Sequence, residues 1–369
     1  MNILILEREG RPGGRIFTRQ QGGIHYDMGA VFGYPADNLA FPVTSSEHIQ
    51  AAPHIGIHIG DSVQYGTTVM DCLHTLLSDD TDKNLLSEFA AQTRSADALP
   101  ERLYAYLNAF FQVIHPGDLR DYMSSRQLDA LQTFDTSHYK NGNHELIQPL
   151  LDALAGKIRL NNEVRHIQQQ SDRVQIRVQS GEKTAPYFAK QVIISTPAPI
   201  AHSLLSDIRI DETTANYLQS WQYAGGTVVM LALQGAKLDD FSYLVTPYMP
   251  ISTIIQQHIP DSDTIKLLIY YAGTKHDAVQ SLTDDALIQQ TIETLQTLSI
   301  GDITQQHIRF YDLQRWQRVG AIISIQNADL WTPAMKQVTS GIWLSGDYTL
   351  NPNAAIPFGM MPALSAGYQ

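Results

Sequence analysis

A chain of 369 residues, 43% hydrophobic and 17% charged, has the material for a substantial core and the length of two domains. Its formal net charge of −12 at pH 7 argues against a nucleic-acid surface, which needs clustered Lys and Arg. No apolar run approaches the roughly 20 residues that span a bilayer, so no transmembrane segment is expected; the single cysteine, Cys72, excludes an internal disulfide and fits a reducing cytoplasm.

The chain opens on Ile3, Leu4, Ile5 and Leu6, read as a short buried strand that ends at Glu7. Four apolar residues before a glutamate are too few for a signal peptide. A glycine loop carries Gly10, Gly13 and Gly14 ahead of Arg15, and a short β segment is expected over residues 15–18. Residues 54–59 alternate with period two and predict a half-buried strand. On a strand His54 and His58 stand roughly 13 Å apart, too far to share an ion, so both are read as surface residues. Helical patterns follow at 68–78, 83–94 and 100–114, the third with Leu103, Leu107, Phe110, Phe111 and Ile114 on one face. Pro100 takes the first-turn position that helices tolerate.

Asn141-Gly142-Asn143 predicts a turn, and residues 145–154 an amphipathic helix that Gly156 ends. Strands are expected at 158–160, 163–168 and 174–178, and a buried one at 191–195 runs into Thr196-Pro197. Antiparallel strands are then read at 227–233, 251–257 and 264–271, and a helix at 284–298 with Leu287, Ile288, Ile292 and Leu295 in step. Residues 341–347 form a strand that ends in Gly346-Asp347, and 353–368 a closing loop and the start of a helix. The thirteen histidines are scattered and no C-x-x-C pair occurs, so no metal site is expected.

Glu7, then Gly13-Gly14-Arg15 after five residues, then Asp27-Met28-Gly29-Ala30 after eleven more, resemble the second strand, GGR loop and DxGA segment of the FAD-dependent amine oxidase family. A lone GGR is common in loops; the ordered series is more specific. The turn, helix and strands from Lys140 to Ser195 are similar to that family's return into its FAD domain, and Gly346-Asp347 to its AGD-like signature.

The resemblance implies non-covalent FAD, since Cys72 lies outside the region of covalent attachment. Glu7 would accept hydrogen bonds from the adenosine ribose hydroxyls, where by itself it reads as a solvated strand-end glutamate. Gly13 and Gly14 would let the backbone pass close to the cofactor, with Arg15 on its pyrophosphate side. Gly29 and Ala30 belong to the same cofactor set, and the backbone at Val164 would meet the adenine. Gly346 and Asp347 would lie by the ribityl or phosphate region. Amides at Met360 and Met361, at a helix N-terminus, would face the flavin N1/O2 edge. Tyr34, Tyr243, Trp316 and Phe358 are the candidates for lining the flavin face, with no residue assigned a catalytic step.

Three departures bear on activity. No G-x-G-x-x-G strand, turn and helix, about 30 residues in all, precedes Ile3; residues 227–231 carry no lysine of the kind that holds a water near flavin N5; and the chain stops inside the expected flavin-facing helix. Both ends therefore read as clipped. The segment 29–35 and the helices at 83–133 also resemble flavin-dependent polyunsaturated fatty acid isomerases. The resulting readings are an oxidoreductase passing hydride from a small-molecule C–H to flavin N5, a flavin-dependent double-bond isomerase, and a flavin-free inactive remnant. The fold implied is α/β (α+β overall). A Rossmann-like parallel-sheet FAD domain over 1–40, 140–200 and 340–369 interleaves with a substrate domain of mixed or antiparallel sheet and helices over 41–139 and 201–339. The matched segments are expected to converge in space.

Overall fold

In the computed structural model, which describes residues 2–32, 48–49, 52–77, 80–90, 96–121 and 138–349, the longest apolar runs of the chain become the middle of a seven-stranded sheet. The fold is mixed α/β, and its contacts divide it into two units. The first takes Met1–Ile16, Leu146–Gln222 and Ala321–Gln369; the second takes Phe17–Glu145 and Tyr223–Gly320. The opening stretch of the first unit ends at Ile16.

In the second unit the sheet runs in the order Ile308–Ile322, Gln222–Gln234, Thr264–Ala272, Thr253–His258, Tyr243–Val245, Ile55–Ile59, Ser62–Gly66. Tyr243–Val245 and Ile55–Ile59 are parallel, while Thr264–Ala272 is antiparallel to both its neighbours. Alternation along Thr264–Ala272 sends Ile265, Leu267 and Ile269 to one face. There they join Val229, Leu231 and Leu233 and the inner side of the helix Asp284–Thr297, through Leu287, Ile288, Ile292 and Leu295, in one core. That helix is capped by the Thr283 side chain, which accepts from the Ala286 amide, and carries Asp284 and Asp285 in its first turn. Each such leucine or isoleucine contributes roughly 1.5–3 kcal/mol by burial. The opposite face receives Lys266 and Tyr270, which meet the hairpin Thr18–Gln21/Ile24–Asp27 and the segment after it.

Several expectations are corrected. Ile55–Ile59 is an interior strand, so Ile55, Gly56, Ile57 and His58 are all buried, where a half-buried strand was expected. His58 is 6% exposed rather than a surface residue, its Nε2 has no hydrogen-bond partner among the described residues, and burial lowers its pKa; His54 is exposed. The β segment placed at 15–18 starts at Thr18 instead, because Ile16 N–H closes a turn onto Gly13 O at 2.9 Å. The strand Ile308–Ile322 and the strand Lys183–Ala189 were not anticipated.

In the first unit the parallel strands are short. Ile5–Leu6 pairs in parallel with Ile158–Arg159, and Val192–Ile194 pairs in parallel with Ile342–Leu344, which Gln337–Thr339 joins antiparallel. Glu163–Gln169, Val174–Ser180 and Lys183–Ala189 form an antiparallel three-stranded sheet. The opening strand and the strand at Val192 were both expected to be buried. Each has a neighbour on one edge only among the described residues, and Ile3, Leu4, Ile5 and Ile193 are exposed, Ile193 at 68%. The helices Ala198–Leu204 and Glu212–Ser220 pack together, and the Tyr217 hydroxyl donates to Tyr348 O.

Candidate functional site

In the first unit, two pairings bring distant segments together. Glu7 N–H donates to Arg159 O at 2.9 Å, and Asn162 N–H donates to Glu7 O at 2.8 Å. This sets the end of the opening strand beside the start of Glu163–Gln169, the strand that carries Val164. Val164 is half-buried opposite Val178. The Glu7 carboxylate folds back to accept the Glu9 amide at 2.8 Å through Oε1, which leaves a strand-end carboxylate with further acceptor capacity.

The second pairing closes the glycine loop. Arg15 Nη2 lies 2.9 Å from Asp347 Oδ2, and the two are 332 positions apart. Asp347 is held in turn by the Tyr348 amide on its Oδ1 at 3.0 Å. Thr349 locks the Gly346 turn, its N–H donating to Gly346 O at 2.9 Å and its hydroxyl at 2.8 Å.

Gly13 and Gly14 have φ of 102° and 55°, a region that favours glycine. A Cβ at Gly13 would stand 2.8 Å from Ile16 O and 2.9 Å from Ile147 Cδ1, whereas one at Gly14 would meet nothing within 4 Å. Gly13 is therefore required by the loop itself, and Gly14 faces open space. Arg11, which the sequence did not single out, braces the loop from below: Nη2 donates to Gly14 O at 2.7 Å and Nη1 to Ile16 O at 3.2 Å. Its partners are backbone carbonyls, so no residue pattern announced it. A recess of about 550 Å³ in the same unit, lined by Asn216, Gln219, Ser220, Gln326 and Asp329 among others, contains none of these residues.

In the second unit Asp27 leads into Gly29 and Ala30. It is 3% exposed and accepts from the Thr18 hydroxyl at 2.5 Å and the Asn143 amide at 3.0 and 3.1 Å. Burial outweighs those bonds and pushes its pKa up to about 6. Lys266, 4% exposed, donates to His25 O at 3.0 Å; burial pulls its pKa down to about 8 against the opposing pull of Asp27. Asn143 was read only as a turn residue, but its side chain donates to Ala30 O and Phe32 O.

Of the expected flavin-face candidates, Tyr243 is buried within the seven-stranded sheet between Ile255 and Ile55. Trp316 is half-buried, packs edge-on against Phe17, and donates its indole N–H to Met28 O at 2.6 Å. Tyr34, Phe358, Met360 and Met361 lie outside the described residues. Among the described residues no group of His, Cys, Asp and Glu is placed to hold a metal ion, and no helix is long and apolar enough to cross a membrane.

The family model described as flavin containing amine oxidoreductase matches residues 1–51 and 70–357. Among solved structures, cyclohexylamine oxidase from Brevibacterium oxydans IH-35A is similar at a TM-score of 0.71 and 13% identity, covering 99% of this chain and 91% of that one. Wild-type putrescine oxidase bound to putrescine is similar at a TM-score of 0.67 and 14% identity, with the same coverage of 99% and 91%. A triple mutant of putrescine oxidase redesigned in its cofactor binding has a TM-score of 0.70 at 13% identity, again covering 99% and 91%. At these identities the likeness is one of fold. No curated protein matches the chain.

Proposed function

Because this chain belongs to the flavin containing amine oxidoreductase family, and its cofactor is accordingly FAD, we propose that it oxidises a small-molecule amine or a related substrate at a C–H bond. Residues 1–40, 140–200 and 340–369 are assigned to FAD binding, and 41–139 and 201–339 to the substrate. FAD, when bound, supplies the acceptor for a hydride from the substrate carbon.

The residues present fit a dinucleotide. Glu7 ends a parallel strand with a carboxylate able to accept ribose hydroxyls. Gly14 offers backbone with open space above it, where a bulky group can approach. Arg15 brings a cation to the same loop, and Asp347 fixes that cation's direction. Val164, Gly346 and the Gly29-Ala30 pair are assigned to the same cofactor by family resemblance, as are Met360 and Met361. Tyr34, Tyr243, Trp316 and Phe358 remain the candidates for the substrate side of the flavin. The lone cysteine, buried Cys72, suits a cytoplasmic setting.

The observation that carries this reading is the Arg15–Asp347 ion pair, which joins the GGR loop to the Gly346-Asp347 turn across 332 positions. The test is anaerobic mixing of the FAD-loaded protein with a panel of primary amines. Lasting loss of the oxidised-flavin absorption with formation of the imine or aldehyde product supports oxidation. Product from a polyunsaturated fatty acid, with the absorption retained, replaces it with isomerisation.

A further inference from the structure

Between His25 and Phe32, five backbone carbonyls are taken by side-chain donors from elsewhere in the second unit. Lys266 Nζ donates to His25 O at 3.0 Å, Trp316 Nε1 to Met28 O at 2.6 Å, and the Tyr270 hydroxyl to Gly29 O at 3.5 Å. Asn143 Nδ2 donates to Ala30 O at 2.7 Å and to Phe32 O at 3.2 Å.

The amides of the same run behave differently. Met28 N–H donates to Phe17 O at 2.7 Å. Those of Gly29, Ala30 and Val31 donate to no acceptor among the described residues. Gly29 and Val31 are buried and Ala30 is half-buried. Buried N–H groups are almost always paired, so three in succession with no acceptor among the described residues form a row of donors open to a ligand.

We propose that Trp316, Tyr270 and Asn143 are positioning residues: by tying the carbonyls of Met28, Gly29 and Ala30 to one side, they hold the following amides as a row of donors for carbonyl oxygens of the bound cofactor. The proposal rests on the reading of Gly29 and Ala30 as cofactor contacts. The arrangement resists a peptide flip, because turning any one of these peptide units would forfeit the side-chain bond to its carbonyl. Asn143 is itself fixed from two sides. Its own N–H is spent on the Asp27 carboxylate, and the preceding Gly142 has the Thr18 hydroxyl 2.8 Å from where a Cβ would stand. Hydrogen-bond donors aimed at ring carbonyls favour the electron-rich, reduced form of a flavin. The row therefore sets the cofactor's potential as well as its affinity.

The test uses the full chain titrated with FAD, as wild type and as Trp316→Phe and Tyr270→Phe variants, singly and together. Trp316→Phe keeps an aromatic ring beside Phe17 but removes the indole N–H together with part of the ring volume; Tyr270→Phe removes only a hydroxyl. The double variant is expected to bind FAD about tenfold more weakly, the scale of one to two lost hydrogen bonds. Its visible flavin absorption should shift and its midpoint potential should fall. A merely structural role would lower the cofactor-free melting temperature and leave the spectrum and potential of bound flavin alone. Folded variants with wild-type FAD affinity, spectrum and potential overturn the proposal. Should the double variant not fold, the same three readouts on Tyr270→Phe, which loses the longest of these bonds, decide it. A wild-type protein that takes up no FAD refutes the underlying cofactor reading instead.

Discussion

Arg15 and Asp347 meet at 2.9 Å although 332 positions separate them. The Arg15 side chain is 37% exposed and that of Asp347 11%. A partly exposed pair of this kind adds about 0.2–1 kcal/mol to stability. Asp347→Asn should therefore leave urea-induced unfolding almost unchanged while weakening FAD binding about tenfold or more, because the cation loses its orienting partner. Equal loss in both measurements would make the pair a structural tie only.

The two adjacent glycines should separate under substitution. Gly13→Ala places a Cβ against Ile16 O and Ile147 in a backbone region with φ of 102°. It should cost about 1–3 kcal/mol of unfolding free energy. Gly14→Ala meets no neighbour within 4 Å, so its cost is the left-handed backbone alone, about 1–2 kcal/mol. If the open space at Gly14 is cofactor space, that variant loses FAD affinity beyond what its stability predicts. Denaturation and FAD titration on the same samples compare the two.

Much of this was legible in the residues, and the remainder has identifiable causes. The strands around 227–233 and 264–271 and the helix near 284–298 were readable because long apolar or amphipathic runs have few alternatives. Ile308–Ile322 was missed because Phe310, Leu313, Trp316 and Val319 recur every three residues, which does not suggest a strand. Lys183–Ala189 contains Pro186, tolerable because the strand lies at a sheet edge. At the site, Glu7, the glycine loop and Asp347 could be located by order and spacing. Arg11, Asn143, Tyr270 and Lys266 could not, since each acts on backbone carbonyls, and the identity of a carbonyl's residue leaves no trace in a sequence.

Lys266 gives a pH dependence with a definite sign. Its folded-state pKa is depressed from 10.5 to about 8 by burial, opposed by the charge on Asp27. Between those values the unfolded chain binds the proton that the folded chain has released. Stability from this group therefore rises with pH from about 8 toward 10.5, and is lost as pH falls through about 8. His25 and Asp27 face Lys266, and Glu145 acts on both of them. Lys266→Met should be more stable relative to wild type at pH 7 than at pH 10.5. A difference in unfolding free energy that stays flat across this range contradicts the assignment.

Leu287 lies fully buried where the helix Asp284–Thr297 meets the seven-stranded sheet. Leu287→Ala should destabilise by about 2–5 kcal/mol, the range for a core leucine whose surroundings cannot collapse. It should leave the affinity of the folded protein for FAD unchanged. Urea denaturation monitored by circular dichroism reads the first quantity, and FAD titration under native conditions the second.

The account depends most on whether this chain holds FAD in a site that includes Arg15 and Asp347. The direct measurement is the visible absorption spectrum of the full-length protein after incubation with FAD and removal of free cofactor, for wild type and Asp347→Asn in parallel. The account predicts stoichiometric oxidised-flavin bands on the wild type and a substantially reduced occupancy on the variant. A well-folded wild-type protein that emerges colourless, or a variant that retains full occupancy and affinity, would contradict it.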